Sequence, residues 1–217
     1  MFSEISFEEW TPSLHRLFAK QRLLLTAYGS EARNTMTVGW GGFGVMWGDP
    51  VAIFAVRPSR YTYHLLGKGA SVSLSALPQQ YARAVALCGA RSGREGDKMK
   101  EAGLTYAGLP CGGVGIGEAE LVVVGRVLCA HPLTPVELDG AELLEKWYRD
   151  GDFHTLYYAT IRKIYKSCGI AGDFFGIFEK IALFHLQKRK RCDILQRTLG
   201  KEGFVNGKEA KGQGDRV

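Results

Sequence analysis

Apolar positions along this chain come in short runs, and most of them alternate. "SVSLSAL" at 71–77 alternates strictly before Pro78, and "NTMTVGW" at 34–40 alternates with β-branched residues at every second place. That period of two predicts half-buried strands. "RLLLTAYG" at 22–29, "VAIFAV" at 51–56, "AELVVVGRVLCAH" at 119–131 and "HTLYYATIRKIYK" at 154–166 are the other predicted strands. Gly125 inside the fifth run predicts a bulge or bend.

Helical patterns between them are few and short. "SFEEWTPSLHRLF" predicts a lead-in helix, and "SRYTYHLLGKG" a helix capped by Ser59 and stopped by Gly67. "QQYARAVALCG" places Tyr81, Val85 and Cys88 on one face, "REGDKMKEAG" reads as a short polar helix, and "ELDGAELLEKWYRDG" as partly helical. Many strands with few short helices predict a mainly β protein, a β-barrel with short helices, rather than alternating βαβ units.

From residue 168 the pattern changes. "IAGDFFGIFEKIALFHL" is apolar nearly all round, "QKRKRC" is basic, and "GKEGFVNGKEAKGQGDRV" has the composition of a disordered end. We therefore expect a domain at 1–167 and a C-terminal extension at 168–217, part apolar helix and part basic. Of the formal net charge of +6, residues 1–167 carry +2 and the extension +4. The basic excess thus says little about what the main domain binds; a nucleic-acid-binding small barrel with a basic tail is the third alternative among function classes. No run approaches the ~20 apolar residues of a membrane helix, and the acidic start "MFSEISFEEW" lacks the pattern of a signal peptide. A cytoplasmic location without a membrane span is the expectation. Five cysteines at wide spacings, with no C-x-x-C pair, predict inert thiols rather than a disulfide framework or a zinc site.

Gly39, Gly41 and Gly44 in "TVGWGGFGVMWGDP" spell G-x-G-x-x-G. A dinucleotide-binding turn needs a helix after it and an acid ~20 residues further on. Here a strand-like run follows and "SRYTYH" holds no acid, so the motif is read as a tight aromatic loop after a strand. "GGVGIG" at 112–117 precedes a strand and is likewise read as a loop. No phosphate loop, catalytic triad motif or metal-ligand cluster occurs.

Two other stretches suit an anion. In "RPSRYTYHLL", Arg57, Ser59, Arg60 and Thr62 gather donors where a helix would begin. In "CGARSGREGDK", Ser92, Gly93 and Arg94 make a turn, and Lys98 follows Arg94 by four residues, which on a helix shares a face. Beside the aromatics Trp40, Phe43 and Trp47, the pair suits a phosphate-bearing ligand with a flat ring.

"NTMTVGW", "GDPVAIFAVRPSRYTY", "CGARSGREGDK" and "HTLYYATIRKIY", in this order, resemble the flavin reductase-like, FMN-binding split-barrel family, which includes flavoredoxin-type proteins. The resemblance covers residues 5–167. It implies a six-stranded Greek-key split barrel, a homodimer, and one FMN per subunit near the interface. It further implies that Asn34, Thr35, Met36 and Thr37 lie along the isoalloxazine edge with Trp40 close by. Arg57, Ser59, Arg60 and Thr62, and then Ser92, Gly93, Arg94 and Lys98, match its phosphate-binding stretches, and His154 its histidine near the flavin. The implied activity is an oxidoreductase passing reducing equivalents from NADH or NADPH through FMN to free flavin, ferric complexes or another small-molecule or protein acceptor. The alternative is a non-enzymatic FMN electron carrier. In either case the flavin carries the chemistry and no catalytic side chain is required. Residues 168–217 have no counterpart in that pattern and are an added helix, a lineage-specific extension or the product of an altered reading frame.

Overall fold

In the computed structural model, the residues described are 15–30, 32–109 and 112–166. The extension from 168 on, with its expected apolar helix and basic run, lies outside them, as do Cys111, Cys168, Cys192 and residues 6–14 of the expected lead-in helix. The rest of that lead-in enters a π-helical turn, Arg16–Gln21, whose Leu17 and Phe18 are buried.

Among the described residues nine strands follow: β1 Leu23–Tyr28, β2 Arg33–Val38, β3 Gly41–Met46, β4 Asp49–Val56, β5 Ser71–Ala76, β6 Tyr106–Gly108, β7 Val114–Ile116, β8 Leu121–Pro132 and β9 Thr155–Lys166. Seven form one antiparallel sheet in the order β2-β1-β5-β8-β9-β4-β3, and β6 pairs with β7 as a separate hairpin. The sheet curls until its ends meet. β2 and β3 are its two outer strands, yet only Gly39 and Trp40 separate them in sequence, and the Ala55 amide donates to the Trp40 carbonyl at 3.1 Å. All seven strands feed one interior cluster, from Leu25 of β1, Met36 of β2, Phe43 of β3 and Phe54 of β4 to Leu74 of β5, Val123 of β8 and Tyr157 of β9. This is the barrel expected from the alternation.

β1 and β8 bury apolar side chains on both faces, which explains why they do not alternate. Leu23 and Leu25 of β1 point into the barrel, while Leu24 joins a second cluster outside it with Ala84, Val85 and Cys88 of the helix Ala82–Ala90 and Ile116 of β7. Val122 and Val124 of β8 do the same opposite Val123. The expected bulge is present, as a register shift between Val124 and Gly125 in the β8–β9 ladder.

Three expectations are corrected. "GGFGVM" is strand β3 rather than a loop: Gly41 is needed because a Cβ there would collide with the Ile53 carbonyl oxygen of β4. The chain turns at Trp47 (φ 53°) and Gly48 (φ 77°), both positive, as a two-residue hairpin turn of type I′ requires. "GGVGIG" contributes Val114–Ile116 to the β6–β7 hairpin, where residues 106–108, not predicted as a strand, pair with it. The sheet has seven strands, not six.

The helix over Ala82–Ala90 is as expected, with Val85 and Cys88 buried and Tyr81 half-buried just before it. "SRYTYHLLGKG" yields only a five-residue 3-10 turn, Tyr61–Leu65. "REGDKMKEAG" yields four helical residues, Lys98–Glu101, and "ELDGAELLEKWYRDG" seven, Ala141–Trp147. No helix among the described residues is long and apolar enough to cross a membrane.

Candidate functional site

β2 is an outer strand, so one of its sides has no ladder partner. A groove runs along that side. It is bounded by the C-terminal end of the 82–90 helix, by residues 57–62 after β4, and by the connector 147–154 that leads into β9. Two adjoining cavities make it up, of about 640 and 430 Å3, and both are lined by Met36, Arg57, Arg60 and Ala90.

The larger cavity is aromatic and apolar. Phe18, Met36, Val38, Trp40, Ala55, Ala86, Trp147 and His154 line it, together with Thr37 and Arg22. Three rings form one wall. Trp40 meets Trp147 edge to face at 4.9 Å between centroids, and the His154 ring lies 4.4 Å from Trp40, tilted by 36°. The Tyr148 hydroxyl is 3.0 Å from His154 Nδ1. Burial, reinforced by Arg57, lowers the His154 pKa to about 4, against the smaller opposing pull of Asp152. The imidazole is therefore neutral at pH 7.

The smaller cavity is polar. Asn34, Arg57, Ser59, Arg60, Thr62, Ser92, Gly93 and Lys98 all line it. Asn34 is buried and its amide donates to Thr62 Oγ1 at 2.6 Å. Gly93 sits so close to β2 that a Cβ would collide with Asn34 Oδ1 and come within 2.9 Å of the Tyr61 ring. Lys98 is only 5% exposed, and its Nζ donates to the carbonyls of Arg91 (3.2 Å) and Cys88 (3.4 Å) rather than to a carboxylate. Desolvation lowers its pKa. Arg60 donates to the Gly89 carbonyl at 2.8 Å. The site thus holds two cations anchored on the carbonyls at and just beyond the end of one helix, where the negative end of its dipole favours them.

Beyond Lys98 a third cavity of about 750 Å3 continues the groove and shares Asn34, Tyr61, Gly93 and Lys98 with the second. Arg33 lies over the Tyr106 ring there, 4.4 Å from its centroid.

The structure gathers most of the residues singled out in the sequence, though not by the expected local geometry. Met36, Thr37, Trp40 and His154 line the aromatic cavity, and Asn34, with Met36 again, lines the polar one. Thr35 has its side chain turned away: fully buried, it shares hydrogen bonds with Thr26 (2.8 Å) and Tyr106 (3.2 Å) and lines none of the three cavities. Ser59 does not cap a helix; its hydroxyl donates to Asp152. Arg94 and Lys98 do not share a helical face, because the helix begins at Lys98, with the Asp97 side chain accepting from the Lys100 amide. Arg94 instead reaches the Ser59 carbonyl at 3.4 Å and lies over the Tyr61 ring, outside the cavity linings.

Sequence reasoning missed the connector. Trp147, Asp150 and Asp152 all line the groove. Arg57 donates to the Trp147 carbonyl at 2.6 Å and pairs with Asp150 at 3.3 Å. The available signal was "WYRDGDFH", a cluster of rings and acids immediately before a predicted strand. Among the described residues no group of His, Cys, Asp and Glu is placed to hold a metal ion. Burial raises the pKa of the Cys88 thiol, which suits an inert thiol.

The fold is a curled antiparallel sheet whose outer strand β2 borders a groove of one aromatic and one cationic compartment. The chain belongs to the family described as the flavin reductase like domain, whose profile matches residues 14–166. Solved structures share the fold at low identity. An FMN-binding protein from Thermus thermophilus, solved with bound 1-cyclohex-2-enone, is 18% identical with a TM-score of 0.55, over 80% of this chain and 83% of that one. Flavoredoxin of Desulfovibrio vulgaris (Miyazaki F) is 18% identical with a TM-score of 0.55, over 79% and 80%. Nitrilotriacetate monooxygenase component B from Mycobacterium thermoresistibile is 13% identical with a TM-score of 0.51, over 76% and 81%. No protein of curated function matches the chain.

Proposed function

We propose that this protein is an FMN-binding oxidoreductase of the flavin reductase type, taking reducing equivalents from NADH or NADPH and delivering them to free flavin, a ferric complex or another acceptor. The observation that carries the reading is the joined groove: an aromatic cavity large enough for a three-ring system opens directly onto a cavity lined by Arg57, Arg60 and Lys98. The residues present fit FMN on their chemistry. The polar end offers guanidinium, ammonium and hydroxyl donors suited to a phosphate dianion. The aromatic end offers flat apolar walls.

Bound FMN would supply hydride acceptance and one- or two-electron transfer. The chain's own residues bind and orient. Trp40, Trp147 and Met36 shelter the ring, the unpaired side of β2 offers hydrogen bonds along its edge, and the Thr37 hydroxyl, which donates to the Val85 carbonyl, keeps acceptor capacity there. His154, held neutral, presents an uncharged polar ring rather than a cation. Arg57, Arg60, Lys98 and Thr62 hold the phosphate end, and Gly93 permits the close approach that shapes it. The proposal includes a homodimer. The exposed Val45, Met46 and Trp47 at the tip of the β3–β4 hairpin support such a partner face.

Titration of the purified protein with FMN, followed by flavin fluorescence and absorbance, tests the cofactor. Saturable binding is expected, and a protein that takes up no flavin would sink the reading. Oxidation of NADH or NADPH by the FMN-loaded protein, with free flavin or ferric citrate present, tests the activity. FMN binding with no turnover from either donor would favour the electron-carrier alternative, in keeping with the fold shared with flavoredoxin.

A further inference from the structure

The donors that suit a phosphate in the polar cavity already face an anion of this chain's own. The Ser59 amide is 3.3 Å from Asp152 Oδ1, and the Ser59 hydroxyl donates to Asp152 Oδ2 at 2.5 Å. Arg57 Nη1 stands 3.9 Å from the same Oδ2 and 3.3 Å from Asp150 Oδ2. An amide, a hydroxyl and a guanidinium thus converge on one carboxylate, which is the donor set an oxyanion such as phosphate would use. The Asp152 side chain is 20% exposed and the Asp150 side chain 66%, so Asp152 is the one set into the cavity wall.

We propose that Asp152 is a built-in competitor for the ligand's phosphate, and so determines how strongly this protein prefers a phosphorylated flavin over an unphosphorylated one. The inference rests on the flavin reading above. One set of donors cannot serve a carboxylate and a phosphate together, and two anions in a cavity of about 430 Å3 repel each other. FMN therefore gains the cradle only as Asp152 leaves it, and its affinity is the difference between the two occupants. The connector allows that exchange: Asp152 lies between the 141–147 helix and β9, in neither, and follows Gly151 at φ 71°. Arg60 and Lys98 are held by backbone carbonyls instead of carboxylates, so they stay available to the phosphate throughout. Riboflavin has no phosphate and does not contest Asp152. The wild-type protein accordingly discriminates less between the two flavins than the cradle of Arg57, Ser59, Arg60 and Lys98 would allow with Asp152 uncharged.

The test is the dissociation constant of FMN and of riboflavin, read by fluorescence quenching at fixed low ionic strength, for the full chain and for Asp152→Asn. Asparagine keeps the shape and an acceptor for Ser59 while removing the charge. FMN binding is expected to tighten about tenfold, with riboflavin unchanged, as the loss of one like charge close to the phosphate implies. Asp152→Ser shortens the side chain and must shift FMN in the same direction, and Asp150→Asn, at an exposed pair, must shift it less. Unchanged or weaker FMN binding in Asp152→Asn overturns the proposal, because Asp152 then supports the cradle. Equal tightening of riboflavin also overturns it. Failure of the wild-type protein to bind either flavin overturns the flavin reading itself, an outcome distinct from both.

Discussion

Tyr148 Oη lies 3.0 Å from Nδ1 of His154, and the His154 ring packs 4.4 Å from Trp40. The Tyr148 hydroxyl is itself held protonated, since burial raises its pKa. The hydroxyl and Nδ1 share one hydrogen bond, which either can donate according to the imidazole tautomer. That bond and the ring contact together hold His154 against the wall of the aromatic cavity.

The same burial links His154 to stability. Its folded pKa is about 4 against an ordinary value of 6.5. Between those values the unfolded chain binds a proton that the folded one does not, so stability is full above the upper value and declines as pH falls toward 4. Urea unfolding at about pH 7.5 and about pH 5 should show that decline, and His154→Phe should lessen it. An unchanged slope in the variant would contradict the assignment.

Lys98 and Trp40 separate the two ends of the ligand. Lys98→Met is expected to weaken FMN by about ten- to a hundredfold, the worth of a charge-assisted hydrogen bond, and riboflavin little. Trp40→Ala is expected to weaken both flavins alike. Parallel titrations of the two ligands check this, and equal losses for Lys98→Met would place the phosphate elsewhere.

Gly93→Ala tests the close approach of two segments. The added methyl meets Asn34 Oδ1 and the Tyr61 ring. A stability loss of about 1–3 kcal/mol is expected from the overpacking, with weaker FMN binding because Asn34 and Thr62 must shift. Chemical denaturation and FMN titration measure the two effects.

Phe54→Ala tests the barrel interior. Phe54 is fully buried and stacks on Tyr157 at 5.6 Å. Its loss should cost about 3–5 kcal/mol, visible as a lower unfolding midpoint.

Much of the fold was legible because burial on one face writes itself into sequence as alternation. β5 reads HPHPH and appears where the pattern puts it, although Ser73 and Ser75 on its polar face are buried too, Ser73 donating to the Val114 carbonyl of β7. β3 was not legible: "GGFGVM" has three glycines and a single buried side chain, Phe43, to advertise, and its pairing with β4 depends on Gly41 meeting the Ile53 carbonyl across the ladder. At the site, residue types were legible and local geometry was not. Ser59 and Lys98 carry the right chemistry, but neither occupies the helical position that their spacing suggested.

By itself the sequence determined the barrel class, the strands at 22–29, 34–40, 51–56, 71–77, 119–131 and 154–166, and the supply of donors at 57–62 and 92–98. These follow from short-range periodicity and composition, which a linear pattern contains. Only the tertiary structure decided that these donors share one cavity, that Thr35 turns away from it, and that Asp150 and Asp152 enter it from some 90 residues further along the chain than Arg57 and Ser59. Such contacts arise from how the sheet closes and which carbonyls the helix end leaves free. No local pattern carries that information, because the partners meet only once the strands have paired.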